Sequence, residues 1–497
     1  MRNRTSSFWL PFISGLMTGV ARLPFHLNFI IFFSLVPLLF FLKENNKVKD
    51  NLLAGFSFSL AYVLTSLHWI ALVTFPGFIG VIFLFAGYYF ILFSMLGFFS
   101  NKNSFIKYAG FVSLWLSFEF IQYYGELRFP WTNLAYSLSP YLLLNQIADI
   151  GGVYIISFLI LTINVLFYRA FDKSKFRYLA IIFLIVGFWI FSGYYELSHL
   201  KLTNKKCKIS IAQGNIPQEL KWEKSYLDTT LQIYEKLSEE SVSQKADLVV
   251  WPESSVPGYL LKNHNLFKKV HRISSKINKP IIVGFPDFEF APKTIQRYKY
   301  YNSATMIHPD GMYNTPYYKN YLVPVGERMP LLKLFPFLWK VNFGQANFEY
   351  GTKAMYYSIN GFKFSPLICF EIAFPDLTTR IANQNTDFIL NLTNDAWFKH
   401  SVGTFQHAEM VKYRAIETRK MIYRAANTGI SEIVSPSGSI VQKLGLSKRG
   451  IITTNLITSN KKTFYVKYFD KYKIIILLIS IILIGLEIFS RVILRVK

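Results

Sequence analysis

Three side chains in this sequence have the chemistry for nucleophilic catalysis, and each sits where a β-like run gives way to a loop. PLICFEIAFPD, from Pro366 to Asp376, ends an apolar run on Cys369. A thiol of ordinary pKa, about 8.5, is only partly ionised at neutral pH; it becomes a good nucleophile beside a base or a cation. VVWPESS sets Glu253 where a strand-like run exits through a proline, and YYKNYLVPVGERMP sets Lys319 after an aromatic run and before a Pro-Gly loop. Singly, each has a plain reading: a buried cysteine is usually packing, a strand-end Glu is usually solvated, and a Lys is usually surface charge. Together, in aromatic and proline-rich segments, they read as positioned groups.

The elements needed to hold them fall in the second half of the chain. CKISIAQGNI, ADLVVWPE, KPIIVGF, KFSPLICFE and DFILNLTND read as strands. GTFQHAEMVKYRAIETRK, Gly403 to Lys420, reads as an amphipathic helix, and MIYRAANTGISEIVSPSGSIVQKLG as a strand, a Pro-Ser-Gly turn and a return strand. Strands alternating with helices from residue 200 to 471 imply one α/β domain.

The first half is of another kind. Of the 497 residues 52% are hydrophobic and only 17% charged, against about 25% charged in a typical soluble domain. Apolar runs begin at Phe8, Leu27, Leu52, Gly77, Tyr108, Ile150 and Tyr178, which predicts about seven membrane spans in residues 1–199. The first run resembles a signal peptide, but the apolar runs behind it favour a retained anchor. Another run from Ile474 makes 472–497 a closing span. The net charge of +25 is concentrated in part in alternate loops: Arg2 and Arg4, Lys43 to Lys49, Lys102 and Lys107, and Arg169 to Arg177. An excess so placed marks cytoplasmic loops rather than nucleic-acid binding, and puts the α/β domain outside the cytoplasm. Two cysteines, Cys207 and Cys369, make neither a disulfide framework nor a cysteine zinc cluster. With no Gly-rich phosphate loop and no H-E-x-x-H motif, no cofactor and no metal are expected.

WPESSVPG, YYKNYLVPVGERMP and ICFEIAFPDL resemble the three catalytic segments of the nitrilase, or carbon–nitrogen hydrolase, superfamily. With spans before and after them, the chain resembles the apolipoprotein N-acyltransferases. AQGNIPQELKW (Ala212 to Trp222), FPWTNLAYS (Phe129 to Ser137), LTNDAWF (Leu392 to Phe398) and RAANTGIS (Arg424 to Ser431) extend that likeness over nearly the whole chain. The resemblance implies a polytopic α-helical membrane protein with an extracytoplasmic αββα sandwich. It implies Glu253 as base, Lys319 as oxyanion stabiliser and Cys369 as nucleophile. The implied reaction is ping-pong: an acyl chain passes from a phospholipid to Cys369 as a thioester, then to the α-amine of a diacylglyceryl-cysteine apolipoprotein, at a bacterial inner membrane with the catalytic domain on the periplasmic side. The family commonly has Tyr after the nucleophile; Phe370 stands here, which leaves that position an aromatic packing role.

Other residues have two readings. Glu327 and Glu371 either orient Lys319 or are plain loop carboxylates. Trp222, Trp397 and Phe370 either line an acyl groove or, as loop aromatics, anchor at a membrane interface. Glu119, His68 and Asp149 lie in or near spans, close enough to the ends to reach the interface. Asn391-Leu392-Thr393 matches a glycosylation pattern but falls inside a strand, and Cys207 opens a strand as packing. Three other readings compete, and Glu253, Lys319 and Cys369 together speak against one of them, a non-catalytic scaffold. A membrane-tethered carbon–nitrogen hydrolase shares all three catalytic residues, and the membrane region speaks against it. A transporter with a sensor domain calls for charged residues deep in several spans, of which there are few.

Overall fold

A computed structural model describes residues 9–45, 47–98, 104–173, 175–292, 297–341 and 346–496. The chain forms two compact units, Met1–Ser198 with Tyr468–Lys497, and His199–Lys467. Arg2, Arg4 and Lys102, which bear on topology, lie outside the described residues.

The first unit is helical. Among the described residues four helices are long and apolar enough to cross a membrane: Phe75–Gly97, Ala148–Asp172, Arg177–His199 and Phe464–Phe489. Their outward faces carry bare hydrocarbon, as at Phe183, Leu184, Phe188 and Ile481, which suits lipid as solvent. The other apolar runs give shorter or more polar helices among the described residues. The run from Leu27 breaks into a 3₁₀ turn, Asn28–Phe32, and a nine-residue helix, Val36–Glu44, roughly 14 Å long against a hydrocarbon core of about 30 Å. Among the described residues the first run is a 12-residue helix, Trp9–Val20. Val48–Ser66 and Ser104–Ile121 have 19 and 18 residues, but are diluted by Lys49, Asp50 and Asn51 and by Lys107, Ser113 and Glu119. Gly15 and Gly19, one turn apart, let Trp9–Val20 close on Val48–Ser66: a Cβ at either would collide with Phe58 or Thr65.

The second unit is a sandwich of two six-stranded sheets. The first holds Thr203–Gln213 (β1), Leu248–Val250 (β2), Ile281–Phe290 (β3), Tyr298–Ile307 (β4) and Tyr317–Tyr318 (β5). The second holds Tyr357–Ile359 (β6), Phe362–Ile368 (β7), Phe388–Thr393 (β8), Met421–Ala426 (β9), Ser431–Val434 (β10) and Ile440–Leu444 (β11). Gly450–Thr458 (β12) returns to pair with β1. β1, β2 and β3 run parallel, as do β7, β8 and β9.

Period-two alternation builds the layers. Ile209, Ile211, Leu248, Val250 and Ile282 face inward and meet Phe364, Ile368, Phe388, Leu390, Leu392 and Tyr423 of the other sheet. Val249, Trp251, Ile281 and Val283 face outward and pack on the helices Leu227–Ser243 and His264–Ile277. Pro375–Asn383 and Val402–Thr418 belong to the second sheet's side, the latter packed on β9 and β10. The stretch from Met421 forms three strands rather than two, because a second turn at Asn427 to Ile430 precedes the Pro-Ser-Gly turn.

Candidate active site

Each residue singled out for chemistry follows a strand end. Glu253 lies three residues beyond β2, Lys319 directly after β5, and Cys369 directly after β7. Parallel pairing lines up the exits: Ile368 at the end of β7 faces Leu392 near the end of β8. Cys369 sits at φ +53°, a left-handed conformation that costs a side-chain-bearing residue roughly 1–3 kcal/mol. The strained turn takes Cys369 out of the strand at the start of a 3₁₀ segment, Cys369–Ala373.

Charge is concentrated there and almost fully buried. Glu253, Lys319 and Cys369 are 6%, 1% and 9% exposed. Glu253 Oε1 accepts from Asn302 Nδ2 at 2.7 Å and lies 3.7 Å from Lys319 Nζ, while Oε2 accepts the Asn394 backbone N–H at 2.8 Å. Lys319 Nζ donates to Glu327 Oε1 at 2.8 Å. The Asn302 amide bridges both carboxylates, with a second bond to Glu327 at 3.0 Å, and Glu327 Oε2 accepts the Val323 N–H. Glu327 thus holds the Lys319 ammonium directly, the contact that the first of its two sequence readings requires.

These contacts set the resting protonation. Burial pushes the Cys369 thiol well above its ordinary range; Glu253 pushes it further and Lys319 opposes both. Burial also raises the Glu253 carboxyl, against the pull of Lys319. For Lys319, burial alone would favour the neutral amine, but Glu327 and Glu253 outweigh it and raise its pKa. Burial thus holds the Cys369 thiol to its proton and makes the Glu253 carboxyl more proton-seeking than a surface Glu, while its carboxylate neighbours keep Lys319 an ammonium.

Glu371 is fully buried. It accepts from Tyr317 Oη at 2.7 Å and from the N–H groups of Asn320 at 2.6 Å and Ile368 at 2.7 Å. It ties the loop carrying Lys319 to the end of the strand carrying Cys369, and burial lifts its carboxyl to about 7. Phe370 is buried with its ring edge-on to Phe374, centroids 5.0 Å apart, which is a packing role. Trp222 and Trp397 are half exposed, 51% and 52%. Cys207 is packed in β1, its thiol pushed up to about 12 by burial.

Sequence reasoning passed over several members. Lys221 is 2% exposed and donates from Nζ to the Glu253 carbonyl at 3.1 Å; burial drops its pKa to about 8. It lies inside AQGNIPQELKW, where a lysine reads as surface. Asn302 was detectable as a lone amide in the aromatic run of β4. Asn391, His407 and Arg424 are each fully buried, although their strand and helix contexts gave no chemical signal. Cys369, Asp395 and His407 bring ligand-type atoms within 4.8 Å of one another. Arg424 already supplies a cation there, 2.6 Å from Asp395 Oδ2, so the cluster does not suit a metal ion.

Comparison with known proteins gives the family. The carbon-nitrogen hydrolase family model matches residues 208–460, and the model of the apolipoprotein N-acyltransferase N-terminal domain matches residues 14–166. An apolipoprotein N-acyltransferase of Aquifex aeolicus is 31% identical over 468 residues, 88% of this chain and 97% of the relative. The chain belongs to the apolipoprotein N-acyltransferase family. Members from Geobacter metallireducens, 33% identical over 73% of this chain and 70% of that one, and Chlorobaculum tepidum, 27% identical over 93% of both, carry the same name. The nitrilase-like fold and the polytopic membrane character both hold.

Proposed function

We propose that this chain is an N-acyltransferase of lipoprotein maturation, moving an acyl chain from a phospholipid to the N-terminal amine of a diacylated apolipoprotein. The observation that carries the reading is the pair of buried Glu253 and Lys319, with half-buried Glu327, beside a strained Cys369, in a chain whose other unit is apolar helix. Family membership favours this over hydrolysis of a small amide or nitrile.

The steps follow from the placement of these groups. Glu253 takes the thiol proton as Sγ attacks the sn-1 ester carbonyl. The oxyanion faces the Lys319 ammonium, which Glu327 holds still. Collapse expels the lysophospholipid alkoxide, which takes the proton from Glu253 and leaves a thioester. The lipoprotein amine attacks that thioester, Glu253 accepts an amine proton, and the departing thiolate recovers it as thiol. The net change is one acyl group moved and one lysophospholipid released. By the charge of its loops the protein sits in the bacterial inner membrane with His199–Lys467 on the periplasmic side.

The test is reconstitution in phosphatidylethanolamine vesicles with a synthetic diacylated lipopeptide. Triacylated product and lysophospholipid in equal amount support the reading. Ammonia release from small amides without lipid transfer contradicts it.

A further inference from the structure

Beneath Cys369 lies a polar cluster that the transfer steps above do not use. Asn391, Asp395, His407 and Arg424 are all fully buried. Arg424 Nη1 donates to Asn391 Oδ1 at 2.7 Å and Nη2 to Asp395 Oδ2 at 2.6 Å. Thr393 Oγ1 donates to Asp395 Oδ1 at 3.0 Å. Burial alone would raise the Asp395 carboxyl, but Arg424 and His407 hold it down to about 2. Burying so many polar groups is costly unless they are tightly paired, and here the pairing converges on one atom. The Cys369 carbonyl oxygen accepts from Asn391 Nδ2 at 3.2 Å and lies 3.2 Å from His407 Nε2.

A carbonyl oxygen can only accept, so Nε2 carries the hydrogen. His407 Nδ1 lies 2.9 Å from Asp395 Oδ1 and 3.1 Å from Arg424 Nη2. In the neutral ring Nδ1 accepts from Arg424; in the imidazolium it donates to Asp395. The bond from Nε2 to the carbonyl survives in both. Because the ring is turned to the carbonyl, it supports the nucleophile's backbone and leaves deprotonation of the thiol to Glu253.

We infer that His407, held by Asp395 and Arg424, is a positioning residue: with Asn391 it clamps the Cys369 carbonyl and keeps the strained turn in register with Lys319. The inference rests on Cys369 being the acylated nucleophile. Its consequence is specific. The tetrahedral centre forms at Sγ while the oxyanion must meet an ammonium fixed by Glu327, so a loose turn misplaces one against the other. A displacement of about 1 Å in such a site costs on the order of a hundredfold in rate. Alkylation by iodoacetamide forms no oxyanion and needs only the thiolate, so it does not feel that register.

The test compares His407→Gln with His407→Asn in the full-length protein. Gln places an amide N–H near the position of Nε2, whereas Asn places it near Nδ1, short of the carbonyl; the two are alike in polarity. With labelled phosphatidylethanolamine, His407→Gln should form acyl-enzyme within about tenfold of the parent, and His407→Asn roughly a hundredfold more slowly than the parent. Both should be alkylated by iodoacetamide within about threefold of the parent. Equal acylation rates for the two variants, or alkylation falling in parallel with acylation, overturns the inference. A parent that carries no acyl group on Cys369 overturns the catalytic reading itself, and this inference with it.

Discussion

Glu432 is a buried carboxyl on β10 that takes no part in the chemistry, and replacing it should stabilise the protein in a pH-dependent way. It is fully buried, and among the described residues neither carboxylate oxygen finds a hydrogen-bond partner. Burial, reinforced by Glu409 and opposed by Arg424, Lys443 and Lys412, raises its pKa from 4.5 to about 7. Because the folded-state pKa is raised, the folded protein holds this proton more tightly than the unfolded chain does. Stability therefore falls as pH rises from about 4.5 through about 7 and stays low above that. At roughly 1.4 kcal/mol per tenfold, the loss at pH 8 is about 3 kcal/mol. Glu432→Gln removes the charge and keeps the shape. It should leave stability at pH 5 nearly unchanged and at pH 8 raise the melting temperature of the catalytic unit by roughly 6–12 °C, at about 2–4 °C per kcal/mol. The assay is thermal unfolding of parent and variant in the same detergent at both pH values. An equal shift at pH 5 and pH 8, or destabilisation at pH 8, refutes the assignment of a buried, unsatisfied carboxyl.

The remaining predictions concern the active site. Lys319→Ala keeps the thiol but removes the ammonium facing the oxyanion, so single-turnover acyl-enzyme formation should slow by about 10²–10³-fold; an effect under tenfold contradicts its role. Lys221→Met removes a cation that lowers the Glu253 pKa, so the acid limb of the acylation pH profile should move to higher pH, and an unmoved limb argues against that coupling. Glu371→Gln offers an amide where several N–H and O–H donors point. It should cost about 1–3 kcal/mol or more in urea unfolding, with parental stability as the contrary result.

The sequence was most legible where function demands unusual chemistry in a regular setting. Glu253, Lys319 and Cys369 stood out because a carboxylate, an ammonium and a thiol each broke a strand-like run, and Glu327 because it shared a Pro-Gly loop with Lys319. The parallel strands β1–β3 and β7–β9 were legible from short apolar runs between turns, the mark of strands buried on both faces. What escaped notice was set by tertiary contact. The glycosylation pattern at Asn391 hid an amide bonded to Cys369 O. His407 looked like one polar residue of an amphipathic helix, although that helix is buried on nearly every side.

The central claim is that an acyl group passes through Cys369, and intact-protein mass spectrometry with peptide mapping tests it most directly. Purified protein is exposed to phosphatidylethanolamine of defined chains without acceptor and quenched in acid. One added acyl mass should map to the peptide containing Cys369, be released by neutral hydroxylamine, disappear in Cys369→Ser and persist in Cys207→Ser. An acyl adduct on another residue, or one that survives in Cys369→Ser, contradicts the account.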